Sequence, residues 1–178
     1  MFRGFSPSQA SALALSRDIV TPPDLCEAFS INRFDDPEVA LRSGLQEGRE
    51  AFFAPNLWPE RPKGFKDAFE TYYAIMEDLA AELMRLMALA LGLDENWFED
   101  KIDDHITNLT VNHYPELDRP AAPGQSRRGE HTDWGSMTIL YHDGEPGLQI
   151  KSPTGRWEDI PLVDDAFVIN LGDLMATW

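Results

Sequence analysis

A single cysteine, Cys26, stands among 178 residues, so no intrachain disulfide can staple the fold. Such sparing use of cysteine fits a reducing compartment. Positive charge is scarce too: 15 lysines and arginines face 31 aspartates and glutamates, for a formal charge of −16. Binding a phosphate backbone needs a basic footprint, and a chain this acidic argues against nucleic acid as a partner. The acidic excess favours solubility and says little about fold. Long apolar runs are missing. The most apolar stretch, Leu79 to Leu93, contains Glu82 and Arg85 and is too short to span a bilayer. Met1-Phe2-Arg3-Gly4-Phe5 lacks the apolar centre of a signal peptide. Together these absences lead to the expectation of a cytoplasmic protein that meets no membrane. Histidine is rare, with four in the chain.

What is present suffices for one core, since a domain of this size buries roughly two-thirds of its unfolded surface. No internal repeat is found. Residues 1–65 read as irregular, with proline at positions 7, 22, 23, 37, 55, 59 and 62. Asp36-Pro37 has the form of an N-cap followed by proline at the first helical position, opening a short helix before Gly44 and Gly48. From Lys66 to Leu91 the apolar residues Phe69, Tyr72, Tyr73, Met76, Leu79, Ala80, Leu83, Leu86, Met87 and Ala90 recur at steps of three and four. This predicts an amphipathic helix closed by Gly92. Its Phe69, Met76, Leu83 and Met87 stripe is expected to pack against the outside of the strand-rich part that follows, as scaffold that contributes no ligand, with Glu70, Glu77 and Arg85 left outside. Asp94 is placed to cap a second, short helix through Trp97 and Phe98.

Beyond residue 105 the period falls to two. Ile106 to Tyr114 reads as a strand stopped by Pro115. After a polar loop, short strands are expected around His131 and over Met137–Tyr141, Leu148–Lys151, Arg156–Ile160 and Ala166–Leu171, with a turn at Ser152-Pro153-Thr154-Gly155. The chain thus divides into a mostly helical or irregular part, 1–104, and a strand-rich part, 105–178. That is an α+β chain whose second part is a sandwich or barrel.

The densest chemistry lies in Glu130-His131-Thr132-Asp133-Trp134-Gly135. A histidine and an aspartate two residues apart can place an imidazole nitrogen and a carboxylate oxygen on one metal ion. They are two-thirds of the two-histidine, one-carboxylate facial triad that holds non-haem Fe(II) and leaves positions open. Taken alone, the bare pattern fits a histidine hydrogen-bonded in a loop better than a metal ligand, because acidic residues abound. The glycine-bounded turn before an apolar strand favours the metal, since a rigid sheet can hold both ligands.

Further segments extend the pattern: Asn112-His113-Tyr114-Pro115, then His131 through Leu140, Gly147-Leu148-Gln149-Ile150, Trp157 with Ile160-Pro161, and Ala166 through Asp173. In this order and spacing the chain resembles the Fe(II)/2-oxoglutarate-dependent dioxygenase superfamily. Within it, the chain is nearest the branch that contains isopenicillin N synthase, plant flavonoid and gibberellin oxidases and 1-aminocyclopropane-1-carboxylate oxidase. Asp24-Leu25-Cys26-Glu27-Ala28-Phe29 and Asn56-Leu57-Trp58-Pro59 also resemble segments of its bacterial members.

The resemblance implies a double-stranded β-helix, or jelly roll, with a helical N-terminal scaffold. It implies an oxidoreductase that activates O2 with Fe(II) and 2-oxoglutarate and oxidises a small organic substrate by hydroxylation, desaturation or ring closure. His131 and Asp133 would be the first two iron ligands. Asn112 and Tyr114 share a strand face and match the pair that contacts 2-oxoglutarate in relatives; ordinary strand residues are the competing reading. Thr138 and Leu140 would line the co-substrate pocket or pack in the core. Gly172 and Asp173 would form a turn whose carboxylate satisfies loop amides. Arg127 and Arg128 would attract an anionic co-substrate or form a solvated face. His113 should point away from Asn112 and Tyr114, and His105 and His142 are weak substitutes for a missing ligand. An aspartate at 133 disfavours a halogenase.

The chain also departs from the family. Relatives continue past the equivalent of Trp178 with a segment that carries the distal histidine and an Arg-x-Ser pair for the far carboxylate of 2-oxoglutarate. They also carry a strand-containing portion before the equivalent of Phe5. The expectation is a fragment or incomplete gene model, with the jelly roll incomplete at the C-terminus and no catalytic competence of its own. Two alternatives stay open: an isopenicillin N synthase-like or ethylene-forming oxidase, and a jelly-roll binding module that has lost catalysis.

Overall fold

The computed structural model describes residues 3–33, 35, 38, 48 and 52–177. The helix expected after Asp36-Pro37 lies outside the described residues. The chain forms two compact units, Met1–Glu130 and His131–Trp178. The division drawn from sequence composition falls at 104/105, whereas strand 108–113 belongs to the first unit.

In the first unit, strands β1 (Gly4–Ser6), β2 (Glu27–Asn32) and β3 (Asn108–His113) form one antiparallel sheet in that order. The register sets Phe29 opposite both Phe5 and Val111, and Ile31 opposite Leu109. Side chains alternate across a strand, so Phe29 and Ile31 share one face. Ile31 is 1% exposed. Phe29 meets the rings of Phe65 at 4.9 Å, Phe69 at 5.2 Å and Trp58 at 6.0 Å, with the two phenylalanines edge-on. Such edge-to-face pairs add about 0.5–1.5 kcal/mol each beyond their buried area. The other face is more polar, with Ser30 and Thr110 hydroxyls 3.0 Å apart.

Helix α1 spans Phe65–Ala90. It contains no proline or glycine and is rich in Ala, Leu, Met and Glu, the strong helix formers. Its end is a Schellman closure: Gly92 at φ +71° donates to the Leu89 carbonyl at 3.0 Å, and the Leu93 N–H reaches the Ala88 carbonyl at 2.9 Å. The buried line of α1 differs from the expected one. Phe69, Met76, Leu83 and Met87 are half-buried, whereas Tyr73, Met84 and Ala88 are buried. Tyr72 and Leu86, expected inside, are 40% and 61% exposed. The rotation follows from polar contacts that propensity cannot register. Tyr73 donates its hydroxyl to the Thr107 carbonyl at 2.8 Å, and Glu77 lies 3.0 Å from His105 Nε2. Glu77 is thereby drawn half inside, while Glu70 and Arg85 stay exposed.

Two further expectations need correction. The region 1–65 is not wholly irregular: besides β1 and β2 it holds a 3-10 turn at Leu13–Arg17. β1 and β2 are short; β2 is held by pairing with β3 some eighty residues away, and β1 by pairing with β2. The second helix, α2, spans Glu99–Ile102 rather than starting at Asp94. Asp94 instead accepts the Asn96 N–H at 2.9 Å in the preceding turn.

In the second unit, β4 (Met137–Leu140) pairs antiparallel with β7 (Val168–Leu171), and β5 (Gln149–Lys151) pairs with β6 (Trp157–Asp159). The β5–β6 turn is the predicted Ser152–Gly155 segment: Gly155 sits at φ +80° and donates to the Ser152 carbonyl at 2.8 Å. Helix α3, Asp173–Thr177, follows β7 directly. No strand forms around His131; residues 131–134 are loop. No helix among the described residues is long and apolar enough to cross a membrane.

Candidate functional site

The loop that precedes β4 carries His131 and Asp133. It is tied down by the chain that leaves β7. The Gly172 N–H donates to the Ser136 carbonyl at 3.0 Å, and the Asp173 N–H donates to the Asp133 carbonyl at 2.8 Å. The Thr132 hydroxyl donates to Asp173 Oδ2 at 2.9 Å. Asp173 thus opens a helix and accepts a hydroxyl, rather than satisfying loop amides from a turn. Gly172 is required by closeness: a Cβ there would sit 2.1 Å from the Gly135 carbonyl oxygen and 2.9 Å from that of Asp133.

Within this loop His131 Nε2 and Asp133 Oδ1 lie 3.6 Å apart. That is longer than a hydrogen bond and within ion-pair range, so the two side chains converge. Both atoms can lie about 2.1 Å from one common point, the distance first-row metals keep from nitrogen and oxygen ligands. The two side chains are 32% and 31% exposed, which leaves room for further ligands. An imidazole and a carboxylate suit Fe(II), so the donor set fits that ion as far as it goes. Among the described residues no third His, Cys, Asp or Glu joins them. The carboxylate's other oxygen, Oδ2, accepts a hydrogen bond from Asn170 Nδ2 at 2.9 Å. The role of Asn170 escaped the sequence reading. The available signal was an amide interrupting the apolar run Ala166–Leu171.

Asn112 and Tyr114 lie in the first unit, grouped around Cys26. The Cys26 Sγ is 3.7 Å from Asn112 Oδ1, and Arg128 Nη1 is 3.8 Å from the same sulfur. Burial pushes the thiol above its ordinary value, against the opposing charge of Arg128 and a hydrogen bond with Tyr114. The Tyr114 phenol is pushed up to about 12, first by desolvation and then by Cys26, with Arg128 opposing. Cys26 is the second residue the sequence reading left without a role; its approach to β3 is a long-range consequence of the β2–β3 register. Arg127 donates to the Pro115 carbonyl at 2.8 Å and holds the loop rather than standing as a free cation. Asp24, 2% exposed, accepts the Leu13 and Gly129 N–H groups at 3.0 and 3.1 Å, fixing the return of that loop.

The remaining histidines are engaged elsewhere. His113 faces Glu27 Oε2 at 3.0 Å, on the strand face opposite Asn112, as its parity requires. His105 sits 3.0 Å from Glu77, and its pKa is lowered by burial and by Arg33, with Glu77 opposing. His142 Nδ1 accepts the Gly144 N–H at 3.1 Å. Thr138 and Leu140 are half-buried on β4. A cavity of about 160 Å³ opens between Ile31, Asn56, Tyr73 and Glu77, and none of the predicted site residues line it.

Residues 106–178 match the 2OG-Fe(II) oxygenase superfamily. The chain is 33% identical to validamycin A dioxygenase of Streptomyces hygroscopicus subsp. limoneus over 88% of its own length and 42% of that protein. It is likewise 33% identical to a 2-oxoglutarate-dependent dioxygenase of Monascus ruber, over 98% of this chain and 53% of the relative. Among solved structures, a full-length Neurospora crassa protein in complex with alpha-KG superposes with a TM-score of 0.78 at 34% identity, covering 99% of this chain and 52% of that one. The chain therefore spans about half the length of these relatives, whose fold is the jelly roll. By family match, sequence identity and fold alike, the chain belongs to the 2OG-Fe(II) oxygenase superfamily.

Proposed function

We propose that the protein carrying this chain is an Fe(II)- and 2-oxoglutarate-dependent dioxygenase that oxidises a small organic molecule. The observation that supports this most directly is the convergence of His131 Nε2 and Asp133 Oδ1 at 3.6 Å on a tethered loop. Fe(II), when bound, supplies O2 activation coupled to conversion of 2-oxoglutarate to succinate and CO2. The chain's own residues hold, orient and neutralise. His131 would present an imidazole nitrogen and Asp133 one carboxylate oxygen. Asn112 and Tyr114 are assigned to 2-oxoglutarate because they match the family pair. The Tyr114 phenol, like any tyrosine, keeps its proton at neutral pH and can donate a hydrogen bond to an anion. Arg128, beside Cys26, adds positive charge to the same cluster.

The third ligand and the clamp for the far carboxylate of 2-oxoglutarate are proposed to lie in the half of the relatives' length that this chain does not span. Relatives carry names such as validamycin A dioxygenase, and the Neurospora crassa protein has been crystallised with thymine; a small-molecule substrate is the class carried over, not the compound. An isopenicillin N synthase-like use of O2 without 2-oxoglutarate is the second reading. The assay measures succinate released from 2-oxoglutarate after anaerobic Fe(II) loading and admission of O2. Succinate that requires Fe(II) and disappears in His131→Ala is expected from the full-length protein, while residues 1–178 alone should be inert. Absence of succinate from the full-length protein, or its persistence in His131→Ala, contradicts the proposal. Robust turnover by residues 1–178 would show that another residue completes the site, with His105 and His142 the candidates to substitute next.

A further inference from the structure

We infer that Asn170 is a positioning residue that restricts Asp133 to a single metal-binding oxygen, and so keeps a coordination position open. The inference rests on the reading of His131 and Asp133 as ligands. A carboxylate can bind a cation through one oxygen or both. Binding through both would occupy a position that an oxygenase needs for co-substrate or O2. Here the two oxygens have separate partners. Oδ1 is turned toward His131 Nε2 at 3.6 Å, and Oδ2 receives the Asn170 amide at 2.9 Å. An ionised carboxylate only accepts, so the amide must present its nitrogen to it.

The placement of Asn170 is rigid. It lies on β7, paired with Thr138 of β4, and is half-buried. Two residues later the same chain bonds the ligand loop through the Gly172 and Asp173 N–H groups, and Asp173 also takes the Thr132 hydroxyl. Residues 170–173 therefore hold the loop at its backbone and hold Asp133 at its side chain. A metal-bound carboxylate oriented by an outer hydrogen bond is a familiar way to tune a site, and loss of such a partner typically costs 10–100-fold in metal affinity.

The test is a Co(II) titration of the full-length protein followed by its visible d–d spectrum, with circular dichroism as the check on folding. Asn170→Leu keeps the branching at Cγ and removes the donor. It is expected to weaken Co(II) binding roughly 10–100-fold and to change the spectrum as the carboxylate engages through both oxygens. Asn170→Gln, which retains an amide donor, is expected to recover most of the affinity and the original spectrum. Should Asn170→Leu fail to fold, Asn170→Ser carries the same expectation, because its hydroxyl stops one bond short of the amide nitrogen. If the wild type binds Co(II), His131→Ala does not, and the folded Asn170 variant matches the wild type in affinity and spectrum, the inference is overturned. If the wild type itself binds no Co(II) through His131, the ligand reading falls and the inference with it.

Discussion

His105 shows how one residue's surroundings become a measurable property of the protein. Burial and Arg33 lower its pKa, and Glu77 only partly opposes them. In the unfolded chain the imidazole titrates near the ordinary value of about 6.5. Below that pH the unfolded state takes a proton that the folded state resists, so stability is intact above about 6.5 and declines as the solution is acidified. His105→Gln removes the titration. Urea midpoints compared between about pH 7.5 and 5.5 should fall less for this variant than for the wild type. An equal fall in both would show that His105 is not buried as described. At the same scale, Asp133 divides its oxygens between His131 and Asn170, and that division is what the proposed site depends on.

Among the elements, α1 offers the sharpest contrast between neighbours. Met84 is 3% exposed and Leu86 is 61% exposed, although both are large apolar residues on one helix. Met84→Ala should cost about 2–5 kcal/mol through lost transfer energy and the cavity left behind. Leu86→Ala should stay within about 0.5 kcal/mol, as surface substitutions do. Chemical denaturation of the two variants checks both; a larger loss for Leu86→Ala than for Met84→Ala would contradict the burial described for α1.

The stripe expected for α1 marks where local pattern stops being informative. The span of α1, its glycine closure and the positions of β3 to β7 were legible because each is written in a short run of residues. The rotation of α1 was not, because it is set by Tyr73 meeting Thr107 and Glu77 meeting His105, across about thirty residues. β1 and β2 were hidden for the same reason. The His131–Asp133 pair was legible from its spacing and from the resemblance. The amide that restrains Asp133, thirty-seven residues away on β7, was visible only once β4 and β7 were paired.

For the molecule as a whole, the −16 charge and the superfamily membership point in one direction. A net charge of this sign disfavours a phosphate backbone as partner, and the proposed ligands sit on a loop bonded to the chain that leaves β7. Everything proposed for this site depends on His131 and Asp133 sharing a metal. The direct measurement is anomalous diffraction at the iron edge, from crystals of the full-length protein loaded anaerobically with Fe(II). One peak is expected about 2.0–2.2 Å from both His131 Nε2 and Asp133 Oδ1, with Asp133 Oδ2 still bonded to Asn170. A peak elsewhere, or a loaded crystal with none between these two side chains, would overturn the metal assignment.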